Sequence, residues 1–254
     1  MKNYKKIVLF IITLSFGCSS ENQNLDSGDN QLNDTVYDIR TIVSKFDNVE
    51  GLTYSINGDF LEITTNGLPD HKSPYWNQGS SMYEAYNGTN PNWNKNPNVI
   101  QTQNITFKIP LYPKEASTKE ATSLGPIGVS LNGVVFYNQY AGPNNQPLTN
   151  EINSFDQYLG HPQNSGQYHY HIEPVYLTNK LGKSSFIGLL ADGFPVYGPE
   201  ENGSTITSSD LDDYHGHVSI TSDFPDGIYH YHITSDDPYL NGSGYYGTPG
   251  NISQ

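Results

Sequence analysis

Tyr168-His169-Tyr170-His171 recurs as Tyr229-His230-Tyr231-His232, and a glycine, Gly166 or Gly227, closely precedes each copy and indicates a turn. Because a β-strand alternates its side chains between two faces, each tetrapeptide places two histidines on one face and two tyrosines on the other. Two imidazoles spaced in this way can bind one metal ion or form a general acid/base pair. The alternative is a tyrosine-rich core strand whose histidines are only hydrogen-bonded. Two copies within a longer repeat favour chemistry.

The longer repeat surrounds the two tetrapeptides. Ile127–Tyr137 lines up with Ile187–Tyr197, and both apolar runs are broken by Asn-Gly or Asp-Gly, the residues that favour a tight type I′ hairpin. An Asp-x-Tyr-x-Gly-His motif then ends at His161 in the first copy and at His217 in the second. We predict a mainly β single domain with two modules of about sixty residues, at about 127–180 and 187–243, related by a pseudo-two-fold axis. This arrangement predicts one shared histidine site at the axis.

The order of the motifs carries a family resemblance. Asn-Gly-x-Pro-Asp-His, the Asn-Gly hairpin, Phe-Asp-x-x-x-Gly-His and Tyr-His-Tyr-His are followed by Asp-Gly-Phe-Pro-Val-Tyr-Gly, Leu-Asp-x-x-x-Gly-His and a second Tyr-His-Tyr-His. Over roughly Thr53 to Gly247 this order resembles the YHYH-domain family of exported proteins. The resemblance implies a secreted or lipid-anchored, β-rich domain and brings no particular reaction. Family members carry cysteines near the Gly-His motifs that look like disulfides, whereas Tyr158 and Tyr214 occupy those places here.

The first residues of the chain predict an export signal. A basic segment at residues 1–6 precedes an apolar stretch, Ile7 to Phe16, that is too short to span a bilayer as a stable helix. Leu14-Ser15-Phe16-Gly17-Cys18 resembles a bacterial lipoprotein box, and the alternative is an ordinary signal peptide with an incidental cysteine. We predict a signal peptide at 1–17, lipidation of Cys18, a flexible acidic tether at 18–34 and a β domain at 35–254. The predicted location is the bacterial cell envelope, with the lipid on Cys18 as the membrane partner, on the periplasmic side or the outer-membrane surface.

Composition narrows the classes of partner. The 254 residues include 12 Lys and Arg against 26 Asp and Glu, a net charge of −14. A surface this acidic argues against nucleic acid and anionic membranes as partners. The single cysteine, Cys18, excludes an intramolecular disulfide. The abundance of tyrosine and glycine suits an extracytoplasmic β protein with many turns, and equally a surface that contacts a glycan.

The first hundred residues of the predicted domain contain fewer motifs. The apolar spacing from Val36 to Phe46 permits a short amphipathic helix. Two strands around Asn57-Gly58-Asp59 predict a hairpin, and residues 105–109 predict a further strand. Residues 74–99, with Trp76 and Trp93, predict a long ordered loop whose aromatic residues either form a lid or sugar-stacking platform or anchor the loop.

The histidines are the candidate metal ligands. A set of imidazoles without cysteine or nearby methionine favours Zn²⁺, Cu²⁺, Ni²⁺ or non-haem iron over Cu⁺. Asp156 and Asp212, five residues before a Gly-His histidine, are predicted to hold the second ring nitrogen of a ligand. The alternative for that motif is a structural corner whose histidine caps a loop. The predicted ligands are His71, His161, His169, His171, His217, His230 and His232.

Three functions remain open at the level of sequence. The first is a divalent-metal site, which would activate water or handle oxygen chemistry if a coordination position stays open. The second is a metal-free polysaccharide lyase or hydrolase with a histidine base and a tyrosine acid, for which the candidates are His169, His230, Tyr170 and Tyr231. The third is a glycan- or protein-binding module with purely structural repeats. Acidic turns at 210–213 and 235–237 could hold Ca²⁺, although they lack the spacing of a standard calcium loop.

Overall fold

The computed structural model describes residues 34–242 and 244–254, which are mainly β and form one compact unit. The predicted signal peptide, Cys18 and the tether up to residue 33 lie outside the described residues. None of the helices in the described part of the chain is long and apolar enough to cross a bilayer.

Within residues 34–242 and 244–254 the secondary structure consists of many short strands and two α-helices. The helices are α1 (Arg40–Val43) and α2 (Val175–Leu181), with 3₁₀ turns at Ser44–Phe46, Glu151–Ser154 and Ser208–Asp210. The strands are β1 (Leu52–Asn57), β2 (Phe60–Thr65), β3 (Ile105–Pro110), β4 (Pro126–Ser130), β5 (Val135–Tyr137), β6 (Tyr140–Ala141), β7 (Gln146–Pro147), β8 (Gly160–Pro162), β9 (Tyr168–Tyr170), β10 (Phe186–Leu190), β11 (Pro195–Tyr197), β12 (Glu200–Glu201), β13 (Ser204–Thr205), β14 (Gly216–Ser219), β15 (Ile228–His232) and β16 (Asn251–Ser253).

An eight-stranded sheet carries both Tyr-His-Tyr-His segments, in the strand order β14-β15-β11-β10-β4-β5-β9-β8. Each half contains a hairpin next to the centre, a histidine strand parallel to it and an antiparallel edge strand. The halves meet where β4 and β10 pair antiparallel, with Val129 opposite Leu189. At this junction a Cβ on Gly128 or Gly188 would lie 2.4 Å from a backbone oxygen of the facing strand. Glycine is therefore required for the two hairpins to approach each other.

The two central hairpins, β4-β5 and β10-β11, do not contain type I′ turns, so the predicted turn type is wrong. Gly133 and Gly193 have positive φ angles of +80° and +89°, but the preceding Asn132 and Asp192 do not have positive φ. Gly133 N donates to Ser130 O at 2.9 Å, and the closing pair is Ser130 N to Val134 O. Each loop is thus three residues long, with a tight turn followed by a left-handed glycine. The side chains of Asn132 and Asp192 are left available for hydrogen bonds elsewhere.

A second, four-stranded sheet has the order β1-β2-β3-β16 and includes the predicted hairpin, with Asn57 opposite Phe60. Burial alternates along β2 and β3, so that one face of this sheet contributes to the same hydrophobic core as the eight-stranded sheet. Thr65 Oγ1 donates to Gly133 O at 2.8 Å and ties the tip of the first central hairpin to β2.

The remaining predictions for this part of the chain agree with the structure in kind. The predicted amphipathic helix is a single α-turn followed by a 3₁₀ turn, and its apolar residues Ile39, Ile42, Val43 and Phe46 are buried. Residues 74–99 contain neither a helix nor a strand beyond an isolated bridge of Ser73 to Tyr83.

Replacing the central glycine tests this account of the sheet. Gly188→Ala should lower the free energy of unfolding by about 2–3 kcal/mol, because the new methyl group would meet Val129 O and the ring of Phe136. Urea unfolding followed by circular dichroism measures the change. The matched control is Gly79→Ala, where a Cβ meets nothing within 4 Å. Equal stability of the two variants would contradict the close approach at the junction.

Candidate metal centres

Strand register gathers the histidines. In the first half, His161 on β8 lies directly opposite His169 on β9, and in the second half His217 on β14 lies opposite His230 on β15. Directly opposite residues share a face of the sheet. Following the pairs across the sheet through Val135, Val129 and Leu189 places both histidine sets on the same face.

The first cluster consists of three histidines and one carboxylate. His169 Nε2 lies 3.0 Å from both His161 Nε2 and His171 Nε2. Glu151, from a 3₁₀ turn, places Oε1 at 3.1 Å from His161 Nε2 and at 3.8 Å from His171 Nε2. The four ligand atoms lie within 4.8 Å of one another, and the three histidines are buried.

The second cluster has the same donor types. His230 Nε2 and His232 Nε2 are 3.1 Å apart. Glu201, on β12, places Oε2 at 3.4 Å from His217 Nε2 and Oε1 at 3.5 Å from His230 Nε2. The side chain of His217 is the most exposed of the set at 25%, yet its Nε2 atom is buried without a hydrogen-bond partner among the described residues. A buried nitrogen without a partner calls for a group that would satisfy it.

Backbone carbonyls determine which ring nitrogen carries the proton. His169 Nδ1 donates to Gln167 O at 3.1 Å, and His230 Nδ1 donates to Ile228 O at 3.0 Å. His171 Nδ1 donates to Asn138 O at 2.6 Å, and the equivalent nitrogen of His232 donates to Gly198 O at 2.8 Å. A carbonyl oxygen only accepts, so Nδ1 holds the proton and the Nε2 atom of each neutral ring is bare.

His161 reaches the same tautomer through a hydroxyl group. Ser154 Oγ donates to Glu151 O at 2.7 Å and accepts from His161 Nδ1 at 2.7 Å. The amide of Asn96 lies farther from Nδ1, at 3.3 Å, and also donates to Pro162 O. The first cluster therefore presents three bare imidazole nitrogens to one point, beside a carboxylate.

Burial opposes protonation of these rings. Burial lowers the pKa of His169 well below its ordinary value, and the neighbouring imidazoles His161 and His171 lower it further. Burial likewise lowers the pKa of His171 to about 4 and that of His230 to about 3. Burial raises the pKa of Glu151, but its hydrogen bond to His161 and the charges of His161 and His171 outweigh this effect and lower the pKa overall. Burial thus favours the neutral form of His169, His171 and His230, and the lowered pKa of Glu151 favours its ionised form.

The two clusters are separate sites, and the prediction of one shared site at the axis is wrong. Between β9 and β15 lie four strands, β5, β4, β10 and β11. Five inter-strand spacings correspond to roughly 24 Å, which is too far for one ion to span. The histidine strands occupy outer positions because the hairpins, and not the histidine strands, pair at the centre.

His71 does not join either cluster, and its assignment as a ligand is wrong. Its Nε2 lies 3.1 Å from Tyr170 Oη, and its Nδ1 lies 3.0 Å from Lys72 O. The ring packs against Tyr158 and Tyr176, with centroid distances of 4.5 and 4.9 Å. Because both nitrogens are occupied on the tyrosine face of the sheet, this histidine belongs to the core.

Asp156 and Asp212 also have a different role from the predicted one, since neither contacts a ring nitrogen of a cluster. Asp156 accepts from Tyr158 N at 2.8 Å and from Tyr168 Oη at 2.8 Å. Asp212 accepts from Tyr214 N at 2.9 Å and from Tyr229 Oη at 3.0 Å. Each aspartate therefore closes a corner and anchors a tyrosine, while the histidine at the end of the same motif enters the cluster. Carbonyl and hydroxyl oxygens take the predicted aspartate role.

The tyrosines of the two tetrapeptides are buried on the face opposite the clusters. Tyr170 Oη accepts from Asn132 Nδ2 at 3.2 Å, and Tyr231 Oη donates to Asp192 Oδ2 at 2.6 Å. Burial raises the pKa of both phenols well above the ordinary value. The pairing of His169 or His230 as base with Tyr170 or Tyr231 as acid is therefore not formed, because the sheet separates the two groups.

The sequence-based prediction missed the two carboxylates of the clusters, Glu151 and Glu201. Between Ile127 and His161 the first repeat contains two acidic residues, Asp156 and Glu151. Once Asp156 is assigned to the corner, Glu151 is the only acidic residue that remains in this segment. This elimination could have identified Glu151 from the sequence. Glu201 lies in a run of two glutamates, sixteen residues before His217, where no comparable count singles it out.

Other predicted sites have structural partners. Asp210 accepts from Thr207 N at 2.9 Å, and Asp236 accepts from Ser208 N at 3.2 Å, so the acidic turns support each other. They belong to neither of the groups that could hold an ion in the described part of the chain. Trp93 stacks on Tyr86 with a centroid distance of 4.2 Å. Because both residues belong to the long loop, this contact favours the loop-anchoring alternative for Trp93.

The fold and these centres define a mainly β protein with two separate His₃Glu clusters, each able to hold a metal ion. The chain matches the family model described as YHYH protein over residues 106–205 and 199–243, more than half of its length, and it belongs to that family. Comparisons with curated proteins and with solved structures gave no significant match.

The tyrosine face generates a prediction about pH. Burial raises the pKa of Asp192 to about 6, against 3.8 for an ordinary aspartate, despite hydrogen bonds from Tyr231, Gly247 and Phe194 that act in the opposite direction. A raised pKa means that folding takes up a proton, so this contribution to stability is complete below pH 3.8 and is lost as pH rises through 6. The shift corresponds to roughly 3 kcal/mol.

The variant Asp192→Asn isolates this contribution. The wild-type free energy of unfolding, minus that of the variant, should fall by roughly 2.4 kcal/mol between pH 4 and pH 7, slightly less than the full shift because an aspartate with a pKa of 3.8 is already more than half ionised at pH 4 in the unfolded chain. Urea unfolding of both proteins at the two pH values, with a chelator present throughout, gives the four free energies. A difference that stays constant with pH would mean that Asp192 is already ionised at pH 4 in the folded protein.

Proposed function

We propose that this protein binds two divalent transition-metal ions, one in each His₃Glu cluster. The observation that carries the proposal is the convergence of bare Nε2 atoms at 3.0–3.1 Å inside the protein. Lone pairs that face one another at this distance repel unless a cation lies between them. Burial disfavours a proton as that cation, and a metal ion satisfies all of the nitrogens at once.

The distances support a metal centre. Ligands about 2.0–2.1 Å from an ion in tetrahedral geometry lie roughly 3.3 Å from one another. The Nε2 separations of 3.0–3.1 Å and the Glu151 contact of 3.1 Å are close to that value. Imidazole and carboxylate donors favour zinc, copper or iron, and also suit nickel. Where a position stays open, such an ion would supply Lewis-acid activation of water or oxygen chemistry.

We propose further that the two halves of the large sheet descend from one repeated module. Three kinds of observation support this: the order hairpin, Gly-His strand and Tyr-His-Tyr-His strand, the equivalent Nδ1 acceptors of the two halves, and the junction of β4 with β10. The module supplies the three histidines, so a repeated module gives two sites of one donor type.

We also propose that the chain is exported and anchored in the bacterial cell envelope by lipid on Cys18. The support is the basic and apolar leader followed by Leu14-Ser15-Phe16-Gly17-Cys18. A location outside the cytoplasm would give the clusters access to metal ions there.

Elemental analysis tests the metal proposal. The domain at residues 35–254, exported to a periplasm and purified without a histidine tag or chelator, should contain close to two equivalents of transition metal. His169→Ala and His230→Ala should each retain about one equivalent, because each removes one site, and the double variant should retain none. The control is His215→Asn, a buried histidine outside both clusters whose positive φ of 72° suits asparagine. It should retain both ions.

Two results would contradict this proposal. A folded protein that neither contains nor takes up zinc, copper, iron or nickel would exclude metal binding. Loss of all metal in either single variant would exclude two independent sites. Circular dichroism of each variant establishes that it is folded.

Lipidation is tested on the full-length chain expressed in a bacterium. The mature protein should begin at Cys18, carry diacylglycerol on its sulfur and partition with membranes. Cys18→Ser should abolish both the lipid and the membrane association, while Ser15→Ala serves as a control within the same segment. Mass spectrometry of the N-terminal peptide gives the answer, and an unmodified Cys18 in the mature protein would exclude the anchor.

A further inference from the structure

The two clusters have alike donors but unlike surroundings. A cavity of about 500 Å³ opens beside the first cluster and is lined by Glu151, His169 and His171. The cavity beside the second cluster measures about 170 Å³ and is lined by Glu201, His230 and His232. Small-molecule sites usually measure about 300–1,000 Å³. The first cavity falls within this range and the second falls below it.

The chemistry of the larger cavity points to a class of ligand. Its wall contains no lysine or arginine and, apart from the cluster's Glu151, no acidic side chain. An anionic ligand would therefore find no lysine or arginine side chain in the wall, and the net charge of −14 would repel it at long range. The wall instead presents phenols and primary amides, each able to donate and to accept: Tyr137, Tyr140, Gln163, Asn164 and Gln254.

The position of Tyr137 ties the cavity to the metal ligands. Its ring stacks on His169 with a centroid distance of 3.8 Å and an angle of 17°. A molecule held by the cavity wall thus lies beside the imidazoles and the carboxylate of the first cluster. In contrast, the second cavity adds the acidic Glu200 to Glu201 and offers too little volume for an organic ligand of this kind.

We propose that the cavity beside the first cluster binds an uncharged, hydroxyl-rich small molecule of the mono- or disaccharide class, adjacent to the ion. This inference rests on the metal proposal for the position of the ligand next to an ion. The second site holds its ion without such a ligand. The two sites therefore differ in role: the first receives a substrate-sized molecule and the second does not.

Paramagnetic relaxation tests the inference. The proton relaxation rates of cellobiose, maltose, lactose and N,N′-diacetylchitobiose are measured with the Cu²⁺-loaded domain and again with the diamagnetic Zn²⁺-loaded domain. At least one sugar should relax several-fold faster with copper. His161→Ala, which removes the first site, should abolish the enhancement, whereas His217→Ala, which removes the second, should preserve it. Gln163→Leu should weaken sugar binding several-fold with unchanged metal content, and Ser222→Ala in the second cavity is the matched control.

The outcomes separate this inference from the metal proposal. Bound copper without enhancement for any sugar, or enhancement that survives His161→Ala and disappears in His217→Ala, overturns the inference and leaves metal binding intact. If elemental analysis finds no metal, saturation-transfer measurements with the metal-free domain still test the cavity. Sugar binding that Gln163→Leu weakens supports the ligand class, and absence of binding overturns it.

Discussion

The structure depends on the hydrogen bonds that backbone carbonyls accept from the Nδ1 atoms of the clustered histidines. These bonds fix the tautomer, so that Nε2 is bare and points inward. They also depend on the strand order of the sheet. His171 Nδ1 donates to the carbonyl of Asn138, which directly follows β5, so this bond forms only if β5 lies beside β9. In the second half Gly198, directly after β11, does the same for His232. The hairpins therefore position the histidines of the clusters and also form the core of the sheet.

The alternation of tyrosine and histidine gives the two faces of the sheet different roles. The tyrosine face is held by aspartates that also close the corners before β8 and β14, and the histidine face remains free for the clusters. One Asp-x-Tyr-x-Gly-His motif thus serves both faces, because its aspartate anchors a tyrosine across the corner and its histidine joins the cluster. A change that loosens Asp156 would disturb the cluster through Tyr168, without any contact between Asp156 and a cluster imidazole.

Much of this arrangement follows from local sequence rules, and the remainder does not. The hairpins, the histidine strands and the grouping of six histidines follow from alternation and turn residues, which act over a few positions. The separation of the two sites does not follow, because it depends on which strands pair at the centre. That choice rests on Gly128 and Gly188, whose close approach is visible only in three dimensions. His71 was misassigned because its Nε2 is hydrogen-bonded to Tyr170 Oη, a residue ninety-nine positions away in the sequence. The carboxylates were missed because they lie in segments outside the repeated motifs, a 3₁₀ turn and a two-residue strand.

The segments that carry the carboxylates also explain how two clusters with the same donor types can differ in ligand access. The histidines come from paired strands, whose geometry is common to both halves, whereas the carboxylates come from unlike elements. Glu151 lies on a 3₁₀ turn and Glu201 on the two-residue strand β12. The loop that carries the carboxylate also forms part of the cavity wall, so a change in that loop alters ligand access while leaving the three imidazoles in place. Paired strands thus place the three histidines alike in both halves, and differences between the carboxylate-bearing segments change what can reach each cluster.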